Sequence, residues 1–368
     1  MTPSIQLGLV AGDGIGPEIV PAAARVLEAA ATDLFTIDWH PLPIGHEAIE
    51  RYGVAVPAET LAALDRLDGW ILGPHDSASY PAQLAAAVPP AGAIRKHFDL
   101  FANIRPARAW PGTDPIAPRA DLVIVRENTE GLYADRNMFA GSGEFMPTPD
   151  VALAVGVITR AGSERIAREA FRLAEQRRRH VTIVHKANVL TMTTGLFRDV
   201  CLEVAGDYPD VTVSEQFVDA AAAHLVRDAS IFDVIVTENL FGDILSDLAA
   251  ELAGSLGIAA SLNCSATRAM AQAAHGAAPD IAGTDTANPT ALILSVAMLL
   301  RWLQGRHTSP VFGEAAGRTE DAIGAVIASP IRTRDLGGTA STTAFTDAVI
   351  ERIIGTSSRR RERGSTRS

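Results

Sequence analysis

Short runs of apolar, often β-branched residues alternate along this chain with longer stretches whose apolar positions recur at helical spacing. Ile5-Gln-Leu-Gly-Leu-Val10 predicts a first strand and Pro17 to Ala31 the helix that follows it. Asp68-Gly-Trp-Ile-Leu72, Leu122-Val-Ile-Val125, Val181-Thr-Ile-Val184 and Phe232-Asp-Val-Ile-Val-Thr237 predict further strands. Such alternation predicts an α/β fold with a largely parallel sheet. Beyond Thr237, Gly242 predicts a turn, and Ile244 to Leu252 has helical spacing. Residues 134–157 are rich in turn formers at their start and predict a projecting arm. The stretch 356–368 carries Arg359, Arg360, Arg361, Arg363 and Arg367 without core-forming residues, and predicts a disordered basic tail.

Composition narrows the class of protein. The 368 residues are 47% hydrophobic and 20% charged, which describes a globular chain of about two domains. A net charge of −11 with no basic stripe in the folded part argues against nucleic acid and against an anionic membrane surface. The longest apolar segment, Ala291 to Leu300, is too short to span a bilayer. Cys201 and Cys264 are the only cysteines, so a reducing, cytoplasmic setting is expected. Basic residues are almost all arginine, with lysine only at Lys96 and Lys186. A lysine is the one of the two types that can lose its proton near neutral pH.

Candidate chemistry sits where strands end. Asp243 and Asp247 are four residues apart, so they share a helix face and repel. A divalent cation with oxygen ligands is the simplest source of compensating charge. Arg95, Arg105 and Arg126 cluster around two strand-like segments, and as a set they suggest an anionic, polycarboxylate substrate. Lys186 follows a strand directly, where desolvation would lower its pKa and suit it to accept a proton. Gly12-Asp-Gly-Ile-Gly-Pro-Glu18 joins the first strand to the first helix. It is not a dinucleotide fingerprint, because Pro17 stands at the sixth position.

Taken together the motifs are specific. GDGIGPE, LFANIRP, VRENTEGLY, HKANVL, NLFGDILSD, HGAAPDIAG, ANP and DLGG occur in this order from Leu7 to Ile353. The chain resembles the β-decarboxylating dehydrogenases, which act on isopropylmalate, isocitrate, homoisocitrate and tartrate or malate. The resemblance implies a two-domain, non-Rossmann α/β fold with a large mixed sheet. Residues 1–100 and 254–355 would form the larger, cofactor-binding domain. Residues 101–253 would form the smaller one, with the arm and the dimer contacts.

The resemblance also implies a homodimer with shared active sites. Mg²⁺ or Mn²⁺ would be held by Asp243, Asp247 and the partner's Asp219. Arg95, Arg105 and Arg126 would bind substrate, with Asn188 and Val189 beside it. Tyr133 and Lys186 would be catalytic together with Asp219, Lys186 serving the partner's site. Ile15, His275, Gly276, Asp280, Ala287 and Asn288 would hold the adenosine side of the cofactor. An aspartate at 280 favours NAD, because a carboxylate accepts a hydrogen bond from the ribose 2′-OH and repels a 2′-phosphate. The expected reaction is oxidative decarboxylation of a 3-substituted malate. Val88-Pro-Pro-Ala-Gly-Ala-Ile94 offers nothing to meet an extra carboxylate, which favours isopropylmalate. Other stretches resemble isocitrate and homoisocitrate members, and tartrate or D-malate is a further alternative. Gln272 and Val88 stand where the family often has glutamate, which keeps open a catalytically silent regulatory subunit. Retention of every metal and catalytic residue argues against that reading.

Overall fold

The computed structural model describes residues 3–84, 87–133, 135 and 137–365, with side chains as far as 356. The predicted strands all form, together with others that the pattern did not single out. In chain order they are β1 (Ser4–Val10), β2 (Thr36–Pro41), β3 (Gly69–Leu72), β4 (Ala102–Arg108), β5 (Asp121–Glu127) and β6 (Glu144–Thr148). There follow β7 (Val151–Ala154), β8 (His180–His185), β9 (Thr212–Phe217), β10 (Val234–Thr237), β11 (Leu262–Cys264) and β12 (Ala269–Gln272). Ten of them join one sheet in the order β2-β1-β3-β12-β11-β4-β5-β10-β8-β9.

This sheet is mixed. Pairings are parallel at each end, and antiparallel where β11 meets β12 and β4 and where β4 meets β5. Residues 1–100 and 254–355 supply the strands from β2 to β11, and residues 101–253 those from β4 to β9. β3 and β10 are buried at every position, as strands covered on both faces must be, and this is why they read as unbroken apolar runs. Helices Gly16–Ala31 and Thr290–His307 pack on the first half, and Arg160–Glu175 and Asn239–Ala253 on the second.

Two expectations meet a different outcome. Gly242 does not make a turn: the helix begins at Asn239, three residues earlier, because the Glu238 side chain accepts from the backbone N–H groups of Leu240 and Phe241, each at 3.0 Å. Gly242 is needed for space instead, since a Cβ there would lie 2.6 Å from Cγ of Arg126. The expected tail is helical rather than disordered as far as the structure describes it. The last helix runs Thr342–Ser365, propagated from Phe345, Val349 and Ile353, which are buried. The run Arg359, Arg360, Arg361, Glu362 and Arg363 consists of good helix formers; residues 366–368 lie outside the described residues. The arm is the hairpin β6–β7, exposed along its length, with Ala134 and Arg136 outside the described residues.

Candidate active site

Asp243 and Asp247 project from the first turns of helix Asn239–Ala253, and both reach one guanidinium. Arg105 Nη1 lies 3.3 Å from Asp243 Oδ1 and 3.1 Å from Asp247 Oδ1. Arg126, from the end of β5, also pairs with Asp243, and the Tyr133 hydroxyl donates to the other oxygen of that carboxylate. The Arg126 guanidinium lies 5.1 Å from the centre of the Tyr133 ring. Sequence positions up to 142 residues apart are thus brought to one place.

The environment separates the two carboxyls. Burial pushes Asp243 up, but Arg126, Arg105 and the Tyr133 hydrogen bond outweigh it, and the net shift is downward. Burial pushes Asp247 up; Arg105 opposes this and the Asp243 charge adds to it, leaving a net rise. Burial and the charge of Arg126 bring Arg105 down to about 10, still charged at neutral pH.

Two facing carboxylates with hard oxygen donors fit a divalent cation. Among the described residues no three His, Cys, Asp or Glu side chains converge as a complete metal set. Asp243 and Asp247 are the two carboxylates that meet here.

Asp219 is the sequence-expected third ligand, and within one chain it stands with Lys186 instead. Lys186 Nζ donates to Asp219 Oδ1 at 2.5 Å. No hydrogen bond or ion pair among the described residues joins either of them to Asp243 or Asp247. Lys186 directly follows β8, and Asp219 lies two residues past β9 in the first turn of helix Val218–Asp228, so adjacent parallel strands present the pair side by side. The Lys186 hydrogen bond is the chief cause that holds the Asp219 carboxyl below its usual range. Beyond Lys186, Asn188 and Val189 are exposed.

A separate cavity of about 470 Å³ gathers the expected adenosine-side residues Ile15, His275, Gly276, Ala287 and Asn288. Asp280 is exposed beside it, and its neighbour Ile281 lines the wall. Burial lowers the His275 pKa, so the ring is neutral. Its Nδ1 meets the Gly276 carbonyl, while its buried Nε2 has no hydrogen-bond partner. An orphaned ring nitrogen in a cavity wall fits a polar ligand such as a nucleotide. The loop holding Ile15 is fixed by Asp13, whose carboxylate accepts from the backbone of His46 (2.8 Å) and Asp76 (2.9 Å) and from Tyr80 (2.6 Å).

The isocitrate/isopropylmalate dehydrogenase family model matches residues 6–352. The chain belongs to this family. It is 46% identical over 352 residues to an isocitrate/homoisocitrate dehydrogenase of Thermus thermophilus, covering 95% of this chain and 98% of that protein. It is 44% identical over 345 residues to a 3-isopropylmalate dehydrogenase of Archaeoglobus fulgidus, covering 94% and 98%. Among solved structures, the isocitrate dehydrogenase of Methylococcus capsulatus superposes with a TM-score of 0.84 at 39% identity. That match covers 95% of this chain and 99% of the other. The protein is therefore an enzyme, a β-decarboxylating dehydrogenase.

Several residues of this dehydrogenase site were not singled out from the sequence. Asn239 Oδ1 accepts from Arg126 Nε (3.0 Å) and Nη2 (2.7 Å). Asn103 Oδ1 accepts from Arg105 Nε (2.7 Å), and Ser246 Oγ from Arg105 Nη1 (2.7 Å). These buried polar groups hold the forks of two arginines. In the cavity, Asp335 accepts from Asn288 (2.9 Å), Ser255 (3.0 Å) and Thr333 (2.6 Å). Strand alternation was one available signal, because Asn103 and Arg105 fall on the same face of β4.

Proposed function

We propose that this enzyme oxidises and decarboxylates a 3-substituted malate, with NAD as hydride acceptor and Mg²⁺ or Mn²⁺ as metal, and that it works as a homodimer with shared active sites. The convergence of Arg105, Arg126 and Tyr133 on Asp243 and Asp247 carries this reading. A divalent ion held by these aspartates would polarise the C2 oxygen and stabilise negative charge on it. Arg95, Arg105 and Arg126 orient the substrate carboxylates, the departing one included. Lys186, in concert with Asp219, takes the proton from the C2 hydroxyl. The Tyr133 hydroxyl delivers a proton to C3 after the carboxylate has left.

The dimer is supported by the division of the site. Asp219 and Lys186 form one ion-paired unit and Asp243 and Asp247 another. Exposed apolar residues stand beside both: Val189 and Met192 after Lys186, and Ile244 next to Asp243. A second copy that covers them would place Asp219 and Lys186 opposite the aspartate pair.

NAD is supported by the exposed carboxylate of Asp280, next in the chain to Ile281 of the cavity wall. Isopropylmalate is the favoured substrate because residues 88–94, which lead into Arg95, carry no charge and bury Ala91 and Ile94. Isocitrate or homoisocitrate is the second reading, favoured by the 46% identity to the Thermus thermophilus enzyme. The test is NADH formation by purified protein with Mn²⁺ and each of isopropylmalate, isocitrate, homoisocitrate, tartrate and D-malate. Isopropylmalate is expected to give the highest kcat/KM. Absence of NADH with all five would overturn the proposal.

A further inference from the structure

The motif Gly12-Asp-Gly-Ile-Gly-Pro-Glu18 is not a dinucleotide fingerprint, yet the fold sets it against the wall of the cofactor cavity through Ile15. Three contacts join it to the segment that follows His275. Gly14 has a φ of +59°, and a Cβ there would lie 2.0 Å from the Ala277 carbonyl oxygen, so the two backbones touch. The Ile15 N–H donates to that same oxygen at 2.9 Å. Glu18, in the first turn of helix Gly16–Ala31, accepts from the Gly283 N–H with one oxygen of its carboxylate.

Ala277 and Gly283 bracket a short excursion of the chain. Between them lie Ala278, with a φ of +40°, and the three-residue 3₁₀ turn Pro279–Ile281; Gly283 itself has a φ of +75°. The excursion puts Ile281 on the cavity wall and leaves the Asp280 carboxylate exposed beside it. Its own backbone bonds are long: the Ile281 N–H reaches the Ala278 carbonyl at 3.2 Å, and the Thr284 N–H the Ile281 carbonyl at 3.3 Å. A turn built this way depends on fixation from outside. Glu18 provides it from a helix, and its other carboxylate oxygen is buried with no hydrogen-bond partner. A carboxylate free to follow its own hydration would turn both oxygens to water, so this one is held to the loop.

We infer that Glu18 is a positioning residue for the cofactor: with the Gly14–Ile15 contact it clamps residues 277–283, and so holds the Asp280 carboxylate where a ribose hydroxyl meets it. This rests on the NAD reading proposed above and adds to it a residue that acts through Asp280 rather than by touching the ligand. The effect is one of preorganisation. If the unclamped segment visits the clamped geometry about one-tenth of the time, the apparent Kd rises about tenfold.

The experiment is calorimetric binding of NAD to wild type, Glu18→Ala, Glu18→Gln, Asp280→Ala and the double variant Glu18→Ala/Asp280→Ala, with steady-state kinetics alongside and melting temperatures as the check on folding. Glu18→Ala should raise the Kd and KM of NAD about tenfold, while kcat at saturating NAD and the KM of the malate stay within about twofold of wild type. Glu18→Gln keeps an acceptor for the Gly283 N–H and should bind NAD within about threefold of wild type. In the Asp280→Ala background the loss from Glu18→Ala should shrink to about twofold or less, because its route to the ligand is gone.

A purely structural role predicts a lower melting temperature in Glu18→Ala with the wild-type Kd, or an equal fold-loss of affinity in both backgrounds. Either result overturns the inference. If Glu18→Ala does not fold, hydrogen exchange in the wild type without NAD decides: protection of the Gly283 amide supports the clamp, and exchange at the rate of an open amide overturns it. A wild type with no affinity for NAD would refute the cofactor reading itself, and that is seen before any variant is made.

Discussion

Replacing Gly242 by alanine separates the precision of the site from the stability of the fold. The added Cβ would stand 2.6 Å from Cγ, 2.8 Å from Cβ and 3.2 Å from Cδ of Arg126. Carbon atoms pack at about 3.5–4.0 Å, so the Arg126 stem has to retreat by about 1 Å. It is poorly placed to do so, being 1% exposed with its guanidinium held by Asn239. Overpacking costs about 1–3 kcal/mol, and alanine in place of glycine within a helix returns about 1 kcal/mol. The net loss of stability should therefore be at most about 2 kcal/mol. The reacting groups suffer more, because a displacement of about 1 Å at a positioning residue costs on the order of 10²-fold in rate. Denaturant melts and steady-state kinetics on Gly242→Ala should show a small change in the first and a fall of about 10² in kcat/KM. Gly317→Ala is the control: its Cβ meets nothing within 4 Å, in helix Pro310–Ile327. It should gain about 0.4–1 kcal/mol with unchanged kinetics. A kcat/KM for Gly242→Ala within about twofold of wild type would refute the argument that Arg126 is held by packing against this helix.

Three further outcomes are expected. Lys186→Arg keeps the charge beside Asp219 and loses the removable proton, so kcat should fall by about 10² or more with sedimentation unchanged from wild type, read by kinetics and sedimentation. His275→Leu removes the orphaned Nε2 from the cavity wall and should weaken NAD binding about tenfold by fluorescence titration, with kcat recovered at saturating NAD. Asp285 accepts from Thr343 N and Oγ1, each at 2.9 Å, at the start of the last helix. Although burial raises its pKa, hydrogen bonds from Ser341 and Thr343 bring it below the ordinary 3.8. Its contribution is therefore complete above that ordinary value and lost as pH falls through the lowered one. Urea melts of Asp285→Ala should show a loss of about 1 kcal/mol near neutral pH that vanishes in acid.

The strands were legible because they are buried on both faces, and an unbroken run such as Val234–Thr237 has few other readings. The motif residues were legible as types in order. Their partners were not, because the contacts that orient them bridge long stretches of chain. Asn239 meets Arg126 across 113 positions, and Ser246 meets Arg105 across 141. An asparagine or serine gives no advance sign that an arginine will fold against it. Gly242 was misread for a local reason: Glu238 is not a customary helix cap, so the helix start was placed too late. The tail was misread because helix propagation needs no core residues of its own once Phe345, Val349 and Ile353 have docked the preceding turns. Lys186 and Asp219 were each expected in the site, yet only the folded chain shows them paired at 2.5 Å just past the ends of neighbouring strands.

Counting products while Asp243 is altered tests the proposed metal chemistry most directly. Purified enzyme with Mn²⁺, NAD and its preferred malate should release one CO₂ for each NADH formed. Chelation of the metal or Asp243→Asn should abolish both products together. NADH without CO₂, or turnover that survives in Asp243→Asn, would contradict the assignment of Asp243 and Asp247 to the metal of a decarboxylating dehydrogenase.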